Sequence, residues 1–225
     1  MRLNDDFSRR AVVHAARMDW TPSPAAGVER RMLYRVGNEK ARATSIVRYA
    51  ADSHFPRHEH PGGEEILVLD GVFHDEQGAY PAGAYLRNPP GTGHAPGSEK
   101  GCLLFVKLWQ FRKDDKEKIV RQPGEGSHEN GDDGAEFMVI YDHPLERVRI
   151  GVWPPHASMR VANAQGLELL VVAGAFQEGG EVFQRLSWMR LPAGVDFVGQ
   201  AGGEGAKLWQ KTGPAPPPNL CEFEG

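Results

Sequence analysis

The segment His58-Glu59-His60-Pro61-Gly62-Gly63-Glu64-Glu65 places two imidazoles and two adjacent carboxylates within eight residues. Alternate side chains of a strand share a face, so His58 and His60 would point the same way. Two neutral imidazoles so placed can hold one cation without moving the backbone. Pro61-Gly62-Gly63 can then turn the chain and let the next strand present Glu64 to the same centre. His94 follows Asn88-Pro89-Pro90-Gly91-Thr92-Gly93, a loop rich in turn residues, and can approach from a neighbouring strand. A His-x-His pair alone is common on solvated strands; the added carboxylate and third histidine make it a candidate metal site. His14, His54, His74, His128, His143 and His156 lack partners at ligand spacing and read as surface or capping residues. Of these, His54 and His74 are the two that could lie near the mouth of the same site.

Strands are the elements that must position these groups. Thr44 to Tyr49 and Leu103 to Trp109 have the length and the β-branched or aromatic content of strands, with turn signals such as Pro81-Ala82-Gly83 at short intervals. That pattern predicts an antiparallel barrel or jelly roll. The sequence also repeats. Lys107-Leu108-Trp109-Gln110 recurs as Lys207-Leu208-Trp209-Gln210, a displacement of 100. Glu65 to Gly71 resembles Glu168 to Gly174 at a displacement of 103, which also maps Arg87, Pro89 and Gly91 onto Arg190, Pro192 and Gly194. Two copies of one all-β unit are expected: 20–111, and 135–212 shortened by three residues after Gly194. Residues 112–134 read as a charged linker and 213–225 as a proline-rich tail.

The 225 residues bear a net charge of −4, which gives no basic footprint for nucleic acid. No apolar run approaches the ~20 residues that cross a bilayer, and the N-terminus lacks the apolar core of a secretory signal. Glycine and proline make up about a fifth of the chain, favouring short strands and turns. Two cysteines form no disulfide framework, so a cytoplasmic location is expected, with Cys102 a buried hydrophobe and Cys221 an exposed tail thiol.

His58-x-His60-x3-Glu64-x6-Gly71 resembles the first motif of the cupin superfamily, and Gly83-x5-Pro89-x-Gly91-x2-His94 resembles the second. The run HPGGEEILVLDG is most similar to the cupin of ChrR-type anti-sigma factors and related stand-alone proteins, over roughly residues 20 to 111. The resemblance implies two double-stranded β-helix (jelly-roll) barrels per chain. It also implies one divalent ion held by His58, His60, Glu64 and His94, and a regulatory or sensing role. ChrR-type regulators carry an additional N-terminal helical sigma-binding domain with its own zinc site of His and Cys. Here about 20 residues precede the cupin and no Cys-x-x-Cys occurs, so direct sigma-factor binding is not expected. The alternative is a mononuclear non-haem metal dioxygenase acting on a small carbonyl (diketone-like) or aromatic substrate, because such enzymes use the same ligands.

The repeat separates the two adjacent carboxylates. Glu65 has the counterpart Glu168, whereas Glu64 maps to Leu167 and the three histidines map to Val161, Asn163 and Phe197. Glu64 is therefore the expected ligand, and the second copy is expected to bind no metal. Imidazole and carboxylate suit Zn, Fe, Mn or Ni. An octahedral ion with four protein ligands keeps two positions for water, O2 or a small-molecule ligand, whereas tetrahedral zinc would be closed. Arg87 or Lys107, if directed inward, could neutralise an anionic ligand. Two fused copies imitate a dimer, so a monomer or a homodimer is expected.

Overall fold

The computed structural model describes residues 1–223, so the last two residues of the expected 213–225 tail lie outside the described residues. Strands make up 59% of the chain, and no α-helix interrupts them among the described residues. The all-β expectation holds. Among the described residues no helix is long and apolar enough to cross a membrane.

The chain divides into two compact units. The first gathers residues 1–5, 18–124 and 217–223; the second gathers 6–17 and 125–216. Residues 112–134 do more than connect them. Ile119–Arg121 pairs with Tyr85–Asn88 in the first unit, and Ser127–Asn130 pairs with Glu136–His143 in the second. The stretch has too few apolar residues for a core, yet enough to cover sheet edges: Ile119 is buried, and so is Asp115, against Arg87. The ends of the chain are likewise structural. Ala11–His14 pairs with Ser187–Leu191 in the second unit. In the first, Cys221 is buried, with its amide donating to the Phe111 carbonyl. The exposed thiol expected at Cys221 is thus corrected, and burial pushes its pKa up.

The first unit is built on a sheet ordered Val28–Gly37, Ala41–Tyr49, Cys102–Leu108, Glu64–Asp75, Tyr85–Asn88 and Ile119–Arg121, all antiparallel. Glu64–Asp75 lies inside this sheet, and its first six residues are all buried. Gly71 interrupts it at φ +69, where an added Cβ would stand 2.3 Å from the Gly101 carbonyl oxygen. Only glycine tolerates both that backbone and that approach. In the second unit Leu167–Glu178 has the same length, and Gly174 at φ +66 meets the Gly205 oxygen at 2.2 Å.

Register corrects one part of the repeat. Lys107 lies opposite Glu65, but Lys211, not Lys207, lies opposite Glu168. The displacement therefore rises from 103 to 104 after the first motif pair; the shared Lys-Leu-Trp-Gln is four residues out of structural step. The second unit is one residue longer here, not three shorter.

Each unit has its own core. Ile66, Val68, Phe73, Leu86 and Leu104 centre the first; Leu169, Phe176, Phe183, Phe197 and Leu208 centre the second.

Candidate metal centre

The short strand His58–His60 pairs antiparallel with Thr92–His94, which puts His94 directly opposite His58 and Thr92 opposite His60. Cross-strand partners point to one face, so all three imidazoles converge. Their ligand atoms lie within 4.8 Å of one another. The ring centroids are 4.8–5.3 Å apart, each pair edge to face. The glycines make this possible. An added Cβ at Gly93 would lie 2.5 Å from the His58 carbonyl oxygen, and one at Gly62 would lie 2.2 Å from the Trp109 ring.

After the turn, Glu64 opens the next strand and is buried. Its Oε2 is 3.2 Å from His60 Nε2 and 3.4 Å from His94 Nε2. Glu65 points to the opposite face. There it accepts a hydrogen bond of 2.8 Å from the Tyr85 hydroxyl and lies between Arg87 and Lys107 on the flanking strands. Glu168 repeats that role, accepting from Trp188 Nε1 at 2.7 Å between Arg190 and Lys211. The inward roles considered for Arg87 and Lys107 are corrected. Arg87 is ion-paired with buried Asp115 at 2.5 Å and covers the Phe111 ring, while Lys107 donates to Thr44 Oγ1.

Two ring nitrogens are held from behind. His94 Nδ1 is 3.3 Å from Asp75 Oδ2, and His58 Nδ1 is 3.1 Å from the Pro56 carbonyl oxygen. Proton donation to those acceptors leaves both Nε2 atoms free to bind an ion, the usual arrangement behind metal-bound histidine. Asp75 is itself held by the Tyr80 hydroxyl at 3.0 Å and the Gln77 amide at 2.8 Å. Asn88 Nδ2 points at Glu64 Oε2 from 3.5 Å. Sequence reasoning missed these supports. Asn88 was findable by the comparison that singled out Glu64, since its counterpart is Leu191; so was Tyr80, whose counterpart is Phe183. Asp75 gave no such signal, because Glu178 keeps the acid.

The site fits a cation. His60 Nε2 is buried without a hydrogen-bond partner, although a carboxylate oxygen stands 3.2 Å away. Burial, aided by His94 and His58, pushes His60 down to about 3, so the ring is neutral at pH 7. Burial also pushes Glu64 up to about 8, against the opposing Asn88 hydrogen bond. A positive ion would reverse the preference of Glu64 and use the idle Nε2 of His60. Replacing Asp75 by Asn should weaken metal binding roughly 10–100-fold by releasing the His94 ring. Calorimetric titration of the stripped protein would check this, and an unchanged affinity would remove Asp75 from the site.

The counterparts in the second unit hold no such cluster. Phe73 packs with Tyr80 and His94 at 5.9 and 5.7 Å in the first unit. Phe176 packs with Phe183 and Phe197 at 4.6 and 5.1 Å in the second. A phenyl ring thus takes the place of the third imidazole. Asn163, in place of His60, braces a loop by donating to the Pro192 and Val195 carbonyls. His54 and His74 pack against each other at 5.5 Å, flanking Gly97, and do not line the cavity beside the candidate ligands.

That cavity has a volume of about 580 Å³. His58, His60, Glu64 and His94 line it, and much of the remaining wall is apolar, including Val47, Ile66, Leu104 and Val106.

A family model described as a ChrR cupin-like domain matches residues 8–112. Among curated proteins none matches the chain in sequence. Similar solved structures include a candidate dioxygenase from Nostoc punctiforme, with TM-score 0.74 and 11% identity over 97% of this chain and 88% of that one. The pirin YhhW of Escherichia coli, solved with nickel(II), has TM-score 0.66 and 13% identity over 92% and 100%. A cupin 2 conserved barrel domain protein from Leptotrichia buccalis has TM-score 0.59 and 13% identity over 95% and 100%. The ChrR cupin-like match spans residues 8–112 of the chain, and the solved structures share its fold.

Proposed function

We propose that this chain is a bicupin that holds one divalent metal ion through His58, His60, Glu64 and His94 and oxidises a small organic molecule with O2 in the adjoining cavity. One observation carries the reading: the histidine cluster opens onto a largely apolar space of about 580 Å³. That volume falls in the range of small-molecule sites, and a purely structural metal would need no such space. The chain's own residues supply the ligands, orient two of the imidazoles through Asp75 and the Pro56 carbonyl, and exclude water with Ile66, Leu104 and Val106. The metal, when bound, supplies activation of O2 or polarisation of a substrate oxygen. In a dioxygenase both oxygen atoms end in the products, so no external reductant is needed. Fe, Mn, Ni and Zn all suit the donors, and the first three leave room for a further ligand.

The second unit is proposed as a degenerate copy of the first. Support comes from the matched strands Glu64–Asp75 and Leu167–Glu178, the paired glycine bulges and the parallel aromatic trios. A reducing, cytoplasmic setting accords with two buried free cysteines.

A second reading, non-catalytic sensing of a ligand or of the metal itself, is favoured by the ChrR cupin-like match over residues 8–112. Oxygen uptake by Fe(II)-loaded protein with a panel of β-diketones and aromatic compounds separates the two. The oxidative reading expects uptake matched to substrate loss. Ligand-induced thermal stabilisation with no uptake across the panel would replace it with the sensing one.

A further inference from the structure

The wall opposite the metal ligands carries charge of the other sign. Cross-strand register sets out inward-facing rows over four strands. One row runs Glu64, Leu108, Ala43, Arg35; another runs Val68, Leu104, Val47, Arg30. One end therefore holds a metal ligand, the middle is aliphatic, and the far strand holds two arginines. Alternation alone would put positions 30 and 35 on opposite faces. The irregularity between Met32 and Tyr34 inserts one residue and returns Arg35 to the face of Arg30. Both arginines line the cavity.

Their charge is incompletely matched. Arg35 is 4% exposed and donates only to the backbone carbonyls of Asn38 and Glu39. Among the described residues no carboxylate lies within 4.0 Å of it. Arg30 pairs with Glu39 at 3.0 Å, but that side chain is 63% exposed and screened by water. Arg30 Nε is buried with no hydrogen-bond partner. Of the carboxylates that line the cavity, Glu64 belongs to the histidine end and Glu59 is exposed, while exposed Arg57 pairs with Glu76.

We infer that the cavity takes an elongated, largely apolar organic anion, whose carboxylate sits at Arg30 and Arg35 and whose body lies along Val47, Leu104 and Val106. This rests on the proposed small-molecule function of the same cavity and adds the class of molecule. Three inter-strand steps of about 4.8 Å separate the Arg35 strand from the Glu64 strand, so a compact ligand would not reach both ends.

Calorimetry with 4-phenylbutyrate and its neutral amide, 4-phenylbutyramide, tests the inference on metal-loaded and chelator-stripped full-length protein. The carboxylate should bind at least about tenfold more tightly than the amide in both states, because charge-assisted bonds to guanidinium are the stronger kind. Arg35→Gln should bring the carboxylate close to the amide and leave the amide unchanged. Arg30→Gln should do so in part, and keeps the test usable if Arg35→Gln fails to fold. Equal binding of the two probes, no binding of either, or a preference that survives both substitutions would overturn the inference. A preference that disappears on stripping would also overturn it, since the carboxylate would then sit on the metal. Metal content, measured separately, tests the proposed ligands, so failure of one leaves the other standing.

Discussion

Replacing His60 by Ala is expected to take bound metal from about one equivalent per chain to a trace that dialysis removes. The ring supplies one of the two buried imidazoles, and its Nε2 has no hydrogen bond to lose. The loss should exceed the roughly 10–100-fold cost of disturbing a supporting residue such as Asp75, because a donor atom itself disappears. Elemental analysis after dialysis reads the result. Asn163→Ala in the second unit is the control. It should loosen the loop braced at Pro192 and Val195, yet leave metal content unchanged. Retention of a full equivalent by the His60 variant would refute the four-ligand site, and loss of metal in the Asn163 variant would refute the single-site assignment.

Glu64→Gln should move metal affinity and metal-free stability in opposite directions. The carboxyl titrates near 8 in the folded chain against an ordinary value of 4.5. Its raised folded pKa means that its contribution to stability is fully present below about 4.5 and is lost as pH rises towards 8. Glutamine keeps the shape but cannot ionise. The stripped variant should therefore match the parent near pH 4 and exceed it by roughly 3 kcal/mol at pH 7, a gain visible in denaturant midpoints. Metal must displace the Glu64 proton below pH 8, so between pH 7 and 8, where histidine side chains are largely neutral, the parent's affinity should rise by up to about tenfold and then level. The variant should bind more weakly and lose this slope. A slope that persists in Glu64→Gln would give the proton to another group. Glu65→Gln is the companion variant: it should leave the slope intact, because Glu65 faces the other side of the sheet with Tyr85.

The convergence of His58, His60, Glu64 and His94 was legible because motif and strand alternation act over a few residues. The distinction between Glu64 and Glu65 was legible through the sequence repeat, because Glu65 has an acidic counterpart in Glu168 and Glu64 has none. The shared Lys-Leu-Trp-Gln misled for the opposite reason. Identity of four residues carries no information on register, and only the ladder shows Lys211 facing Glu168. Asp75 lies 19 residues from His94 and reaches it only because Glu64–Asp75 is one long strand whose far end curls back beneath the site. Nor could local pattern show that Ala11–His14 joins Ser187–Leu191. Short strands with ordinary composition acquire meaning from partners some 175 residues away. The inward placement of Arg35 depended on one inserted residue, which a strict two-residue period cannot anticipate.

The allocation of the chain ends has a practical consequence for anyone dividing this protein into pieces. A cut after residue 124 strands Ala11–His14 on the fragment that does not use it, and places residues 217–223 on the other. Each fragment then exposes a seam its missing strand or tail should close and carries a sticky peptide made for its sibling. The two halves are separable on paper but behave as reciprocal donors. Co-production of both, rather than either alone, is the form in which a split version of this chain can reassemble.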